Sequence, residues 1–102
     1  MDNQLVLSGQ VVKPPDTRHS PAGIPITRFV LQHQSRQLEA GIPREVQCRI
    51  VVVAAGKEMA HRAQALSLDE EIRVSGFISR SSHKGGESKL VLHAQGIESS
   101  NP

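Results

Sequence analysis

Residues 20–36 have the sequence SPAGIPITRFVLQHQSR, in which a turn is followed by a strand. The turn is predicted at Ser20–Pro25, because its prolines fix φ and its glycine adopts a positive φ at no steric cost. The strand is predicted at Ile26–Ser35, where Phe29 and Leu31 point towards a core. The alternate residues point towards solvent or a ligand, and they are Arg28, Val30, Gln32 and Gln34. Since such a strand is not stable alone, the rest of the chain has to supply its partners.

The length and composition of the chain are typical of one globular domain. Of its 102 residues, 37% are hydrophobic and 22% are charged, which predicts a single domain over residues 1–98 and a frayed tail at 99–102. No apolar run approaches the roughly 20 residues of a membrane-spanning helix, so no membrane partner is expected. Asp2 stands where a signal peptide has basic residues, and no apolar region follows it, which predicts a cytoplasmic protein.

Five strands and one helix are predicted along the chain. The strands are predicted at Gln4–Val12, Ile26–Ser35, Val46–Ala54, Ile72–Arg80 and Lys89–Gln95, and the helix at Lys57–Leu66. Loops are predicted at Lys13–Ile24, Arg36–Glu45 and Ser81–Ser88. Five short strands with a helix between the third and the fourth are typical of the OB-fold, a small partly open barrel. A two-layer α+β sandwich fits the pattern almost as well, but glycines inside strands, at Gly9 and Gly76, favour the bends of a barrel.

The chain lacks the residue patterns of a catalytic or metal site. Its single cysteine, Cys48, lies in a run of valine and isoleucine, which predicts a buried, unreactive thiol and excludes an internal disulfide. The five histidines have no metal-ligand spacing, so no metal or cofactor is expected. Neither a G-x-S-x-G motif nor paired carboxylates on neighbouring strands are present, which favours a binding protein over an enzyme.

The charge of the chain is compatible with an anionic partner. The net charge is +2 and the pI is about 9.1. The basic residues lie in predicted loops or at strand ends, and the loops between strands one and two and strands four and five flank the ligand face of an OB-fold. They are Arg18, Arg36, Arg44, Arg80, Lys84 and Lys89. Ordinary solvated loop charges are the alternative interpretation.

Separated segments of the chain occur in the order found in a known family. These are LVLSG at residues 5–9, SP and GIP at 20–25, FVL at 29–31, GFIS at 76–79, and SK followed by VLHAQ at 88–95. Over residues 3–95 the chain resembles the bacterial primosomal replication protein N family, PriB. The resemblance implies a homodimer of OB-folds, related to single-stranded DNA-binding proteins. It also implies that the chain binds single-stranded DNA, joins the PriA helicase and passes the complex to DnaT.

The resemblance also implies which residues contact DNA. The family's basic contacts correspond here to Arg18, Lys84 and Lys89, whereas two further basic positions are occupied by Gln34 and Ser82. The family's two aromatic positions, at the start of strand three and just before it, are occupied by Gln47 and Ile42. The expected nucleic-acid-binding residues are Arg18, Gln34, Arg44, Gln47, Ser82, Lys84 and Lys89.

Two functions from different classes remain open. The first is non-specific binding of single-stranded DNA, with contacts mainly to phosphates. The second is a protein–protein scaffold of the primosome with weak DNA affinity. The missing aromatic residues favour the scaffold, because each aromatic–base stack contributes about 1–3 kcal/mol. A cold-shock-like RNA-binding barrel is a weaker alternative, since the aromatic-rich RNA-binding strand is missing.

Overall fold

The computed structural model describes residues 1–81 and 89–100. Within these residues the elements are β1 (Leu5–His19), β2 (Pro25–Glu39), β3 (Ile42–Ala55), α1 (Lys57–Gln64), β4 (Glu71–Arg80) and β5 (Leu90–Ser99). The strands form a closed barrel in the order β1-β2-β3-β5-β4. Neighbouring strands are antiparallel except β3 and β5, which are parallel. This arrangement confirms the predicted five-stranded OB-fold with a helix between the third and fourth strands.

The barrel interior is filled by the inward positions that the alternating pattern predicts. Phe29 is only 2% exposed and Leu31 is fully buried. The other large buried side chains include Val11, Val52, Ile72, Val74 and Leu92. Helix α1 covers the barrel with Ala60 and Ala63, which are buried. Burial of one of the valine, leucine, isoleucine or phenylalanine side chains stabilises the fold by roughly 1.5–3 kcal/mol relative to exposure.

The two glycines inside strands mark close approaches of the backbone. A Cβ on Gly9 would collide with the carbonyl oxygen of Gln32, and one on Gly76 would collide with the carbonyl oxygen of His93. Glycine is therefore required at both points where strands cross closely. The expectation that Gly9 and Gly76 allow the strands of a barrel to pack closely is confirmed.

The loop predicted at Lys13–Ile24 was wrong, because β1 continues to His19. The pairing of β1 with β2 shifts register between Lys13 and Asp16, and the two prolines lie within this shift. Proline lacks an N–H, but at an irregularity of this kind no ladder hydrogen bond is lost. Only residues 20–24 form the turn between the two strands.

The loop predicted at Arg36–Glu45 was also wrong. β2 continues to Glu39 and β3 begins at Ile42. Ala40 and Gly41 connect them with φ of 53° and 76°, and two consecutive positive φ values are typical of a tight type I′ hairpin turn. Beyond Gln32, β2 pairs only with β3, so residues 33–39 and 42–48 form a two-stranded projection, termed the hairpin arm.

Two side chains of β3 differ from the predicted burial. Cys48 is exposed, because it lies in the hairpin arm, where the inward side of the strand has left the barrel. Val53 points outward, as the alternation along β3 predicts, yet it is buried. It lies between Arg28 of β2 and His93 of β5, and these larger neighbours cover the short valine side chain.

The C-terminal strand is longer than predicted. β5 runs to Ser99 rather than to Gln95, and the N–H of Ser100 donates a hydrogen bond to the carbonyl oxygen of Glu71 at 3.1 Å. The strand therefore enters the segment that was expected to be a frayed tail. No helix in residues 1–81 and 89–100 is long and apolar enough to cross a membrane.

Candidate nucleic-acid interface

The register of β2 and β3 creates a surface on the outside of the barrel. Because Phe29 and Leu31 point inward, the residues that alternate with them along β2, and the β3 partners of those residues, point outward. From the turn towards the hairpin arm, the outward pairs are Arg28–Val53, Val30–Val51, Gln32–Arg49 and Gln34–Gln47. These strands are the usual ligand face of an OB-fold.

The neighbouring strands extend this surface on both sides. β5 runs beside β3 with Val91 next to Val51, and the exposed Lys89 directly precedes β5 at this edge of the surface. On the other side, β1 places Lys13 next to Val30. The outward positions of β1, β2, β3 and β5 together form one surface, termed the outer face.

Three of the predicted site residues lie on the outer face besides Lys89, but not in one patch. Gln34 and Gln47 are directly opposite each other at the base of the hairpin arm, and both are exposed. Arg18 pairs with Ile26 at the other end of the strands. Since Ile26 and Gln34 are eight residues apart, a rise of about 3.3 Å per residue separates these positions by roughly 26 Å.

The remaining predicted residues lie elsewhere. Arg44 is three residues from Gln47 on the same strand, so the two side chains point to opposite sides of β3. The guanidinium of Arg44 forms an ion pair with Glu39 at 3.3 Å. Ser82 and Lys84 lie outside the described residues.

Three cations of the outer face were missed by the sequence prediction, namely Lys13, Arg28 and Arg49. All three are exposed. Arg49 donates a hydrogen bond from Nε to the side-chain oxygen of Gln32 at 3.0 Å, which holds its guanidinium over β2. The alternation of β2 and β3 places both arginines outward. Lys13 was assigned to the predicted Lys13–Ile24 loop, but it lies in β1.

The outer face differs from its surroundings in the pairing of its charges. Within residues 1–81 and 89–100, the arginines that form ion pairs are Arg18, Arg36, Arg44 and Arg73. None of Lys13, Arg28, Arg49 and Lys89 is among them. These four cations are therefore available to an anionic ligand without first losing an ion pair to a described carboxylate.

Arg18 is available at little cost despite its ion pair. It contacts Asp16 at 3.3 Å, but the two side chains are 80% and 69% exposed. An exposed pair of this kind contributes only about 0–1 kcal/mol. A phosphate can therefore replace Asp16 as the partner of Arg18.

Hydrogen bonds fix the conformation of the turn between β1 and β2, next to Arg18 at one end of the outer face. The N–H of Gly23 donates to the carbonyl oxygen of Ser20 at 2.8 Å, and the N–H of Ser20 donates to that of Ile24 at 2.9 Å. The Ser20 hydroxyl accepts a further bond from the Ile24 N–H at 3.1 Å. Gly23 has φ of 82°, so the predicted turn and its glycine are confirmed.

The arrangement is chemically suited to a polyanion rather than to a metal ion. Cations on adjacent strands can contact successive phosphates of a nucleic-acid strand. In the described part of the chain, no group of three or more histidine, cysteine, aspartate or glutamate side chains could hold a metal ion.

Comparison with known proteins places the chain in a family. The model described as "Another single-strand binding protein family" matches residues 3–96. Replication restart protein PriB from Photorhabdus laumondii subsp. laumondii is 47% identical over 96 residues, which cover 94% of this chain and 91% of that protein. PriB from Ralstonia solanacearum has a solved structure with a TM-score of 0.83 and 28% identity, covering 98% of this chain and 99% of that one. A small single-stranded DNA-binding protein from Streptomyces coelicolor has the same fold, with a TM-score of 0.76 and 20% identity over 97% of this chain and 94% of that one. The chain belongs to the PriB family of replication restart proteins, within the wider single-strand binding protein family.

Proposed function

We propose that this protein binds single-stranded DNA on the outer face of its barrel during replication restart, without sequence preference. The observation that carries the proposal is a set of four exposed cations on or directly beside adjacent strands of one face. They are Lys13, Arg28, Arg49 and Lys89, and none of them forms an ion pair with a described carboxylate. The names of the relatives support it, since they combine replication restart with single-strand binding.

The mechanism is electrostatic. Each cation that contacts a phosphate releases condensed counterions from the DNA. On a single strand, the logarithm of the association constant therefore falls by about 0.7 per phosphate contact for each unit of increase in log salt concentration. Because every nucleotide carries the same phosphate, these contacts carry no sequence information. The resulting complex is tight at low salt and much weaker at high salt.

The partners that we propose follow from the family resemblance. The protein acts as a homodimer in the cytoplasm, binds the PriA helicase, and brings PriA together with DnaT. This role consists of binding steps alone and needs no catalytic centre, which is why we propose that the protein is not an enzyme.

The edge of β1 supports the homodimer. Residues 5–8 of β1 pair with β4, but their other edge faces no strand in residues 1–81 and 89–100, because β2 has turned away into the hairpin arm. His33 covers one point of this edge, with Nδ1 2.7 Å from the carbonyl oxygen of Ser8. Exposed strand edges are usually covered, and a second copy of the same strand is the occupant that we propose.

A protein–protein scaffold with weak DNA affinity is the second candidate. The hairpin arm favours it, since Leu38 is 75% exposed and Ile42 is 60% exposed. Exposed apolar side chains near one another mark surfaces that contact other proteins. The same arm also has glutamine at Gln47, where an aromatic residue would have stacked on a base.

Fluorescence anisotropy of a labelled oligo-dT of about 30 nucleotides, at low and near-physiological salt, tests the proposal. DNA binding predicts tight, salt-sensitive binding that duplex DNA does not displace. The scaffold predicts weak binding even at low salt, while purified PriA is still captured.

A matched pair of variants then locates the DNA. Arg28→Gln with Arg49→Gln should weaken binding and reduce the salt slope by about 1.4 per subunit, from two phosphates at about 0.7 each. Lys57→Gln with Arg44→Gln removes the same charge from residues that lie off the outer face, on α1 and on the opposite side of β3. If the two double variants lose affinity equally, the effect is one of net charge, and the outer face is not the binding site.

A further inference from the structure

Phe77 and His93 form an aromatic stack on the outside of the barrel. They are opposite each other on β4 and β5, with ring centroids 4.8 Å apart and ring planes within 11° of parallel. Phe77 remains 36% exposed. Part of the phenyl ring is therefore accessible to a planar ligand beside the His93 stack.

The stack is held in place before any ligand binds. His93 Nε2 lies 2.7 Å from the hydroxyl oxygen of Ser79, so the imidazole cannot rotate freely. Both aromatic residues are in regular strands of the closed barrel. A rigid aromatic surface loses little conformational entropy on binding, which favours its use for recognition.

The stack is continuous with the cations of the outer face. His93 is next to Val53 on β3, and Val53 is next to Arg28 on β2. Lys89 is four residues before His93, or about 13 Å at the usual strand rise. A nucleic-acid strand with phosphates at Lys89 and Arg28 would therefore bring its bases near Phe77.

Phe77 is also the aromatic residue that the sequence leaves available for stacking. The chain has two phenylalanines and neither tryptophan nor tyrosine, and Phe29 is buried in the core. The two positions where the family resemblance implies aromatic residues are Ile42 and Gln47. A stacking contribution from a phenyl or indole ring must therefore come from Phe77.

We propose that the Phe77–His93 stack is a nucleobase-binding platform, on which a base of the bound single strand stacks against the exposed part of the Phe77 ring. The platform rests on the proposed function, because it takes its ligand from the DNA strand that the cations hold. It extends the DNA path from β5 onto β4.

Fluorine NMR tests the platform in the unaltered chain. Protein labelled with 4-fluorophenylalanine gives two resonances, one from Phe77 and one from Phe29, and the buried Phe29 is an internal control. Oligo-dT should shift the Phe77 resonance, whereas an abasic oligonucleotide of equal length should leave both resonances in place. Anisotropy on the same samples establishes whether the strands are bound.

The outcomes separate the platform from the proposed function. Bound oligo-dT with an unmoved Phe77 resonance overturns the platform and leaves DNA binding intact. No binding of oligo-dT at low salt overturns the proposed function, and the platform with it. A Phe77 resonance that moves with protein concentration but not with DNA makes the stack a contact between copies of the chain, which also overturns the platform.

A substitution gives the energetic test. Phe77→Leu keeps an apolar side chain but removes the ring, and it should weaken oligo-dT binding about tenfold. Binding of the abasic strand and the salt slope should be unchanged, because no phosphate contact is lost. Leu68→Ala, at another exposed apolar side chain, should leave both affinities unchanged. Equal losses for oligo-dT and the abasic strand in Phe77→Leu would contradict base stacking.

Discussion

Two lysines are among the expected DNA contacts, and Lys89 is the one that lies within the described residues. It lies on the outer face beside β5, and the N–H of Ser81 donates to its carbonyl oxygen at 2.9 Å, which fixes the backbone there. We expect Lys89→Gln to weaken single-strand binding and to reduce the salt slope by about 0.7 per subunit, since one phosphate contact is lost. The measurement is anisotropy with oligo-dT at several salt concentrations.

Lys57→Gln is the matched control for this prediction. Lys57 begins α1, outside the four strands of the outer face, and its loss changes the net charge by the same amount. An unchanged slope in Lys89→Gln, or an equal change in Lys57→Gln, would contradict the assignment of Lys89 as a phosphate contact.

Gln47 gives a second test at the residue scale. It is exposed on the outer face opposite Gln34, so Gln47→Trp would place an indole beside the DNA path. A new base stack should strengthen oligo-dT binding by about tenfold. Gln37→Trp adds the same ring on the other side of the hairpin arm, and it should have no comparable effect. A gain from Gln37→Trp alone would show that DNA follows the opposite side of the arm.

The sequence predicted only part of the candidate site, and particular residues show why. The outward direction of Arg28 and Arg49 follows from the alternation of their strands, but alternation does not distinguish a ligand face from a solvated one. That distinction depends on which strands are neighbours, and Lys89 comes to lie on the same face as Arg49 only through the parallel pairing of β3 with β5. Long-range pairing of this kind leaves no local pattern in the sequence.

At the scale of the elements, Gly76 controls how β4 passes β5. The strands shift register between Ser75 and Gly76, and a Cβ on Gly76 would meet the His93 carbonyl oxygen. Gly76→Ala should therefore destabilise the fold by about 3 kcal/mol, as expected for an overpacked site that a backbone atom blocks. Urea unfolding at a fixed protein concentration measures this loss.

Gly96→Ala is the control, because a Cβ there would meet only the Ser75 hydroxyl, at 2.7 Å. The serine side chain can rotate away, so the expected cost is below about 1 kcal/mol. If the two variants unfold at the same urea concentration, the close approach at Gly76 does not limit the packing of the barrel.

The ends of the strands were the least predictable part of the fold. Inside the barrel one side of each strand is buried, and the apolar alternation around Phe29 and Leu31 correctly predicted β2. The hairpin arm is exposed on both sides, so alternation fades beyond Ser35 although the strands continue to Glu39. The prolines and glycines that were interpreted as loop signals are accommodated by a register shift in β1 and by the tight turn at Ala40–Gly41.

At the scale of the whole molecule, the barrel is closed but one of its strands keeps an open edge. β1 pairs with β4 through its first residues and with β2 through its later ones, so the edge of residues 5–8 away from β4 faces no other strand within the described part of the chain. Closing that edge against a second copy would also join two outer faces. A DNA strand that crosses both would contact twice as many cations, which compensates for the low net charge of +2 per chain.

Val6 tests the proposed dimer, because it is 61% exposed and lies in the open-edged part of β1. A two-fold axis between paired β1 strands brings equivalent residues near one another, and like charges on facing strands repel. Val6→Lys should therefore weaken the dimer at least about tenfold, because it also removes two apolar side chains whose burial is worth roughly 1.5–3 kcal/mol each. Sedimentation velocity measures this as a shift from about 22 kDa, twice the 11.1 kDa of one chain, towards the monomer.

Leu68→Lys introduces the same charge at an exposed leucine between α1 and β4, and it should leave the dimer unchanged. If two joined outer faces hold the DNA, Val6→Lys should also reduce the salt slope of oligo-dT binding, whereas Leu68→Lys should leave the slope unchanged. A dimer that survives Val6→Lys but dissociates with Leu68→Lys would place the interface on the side of α1.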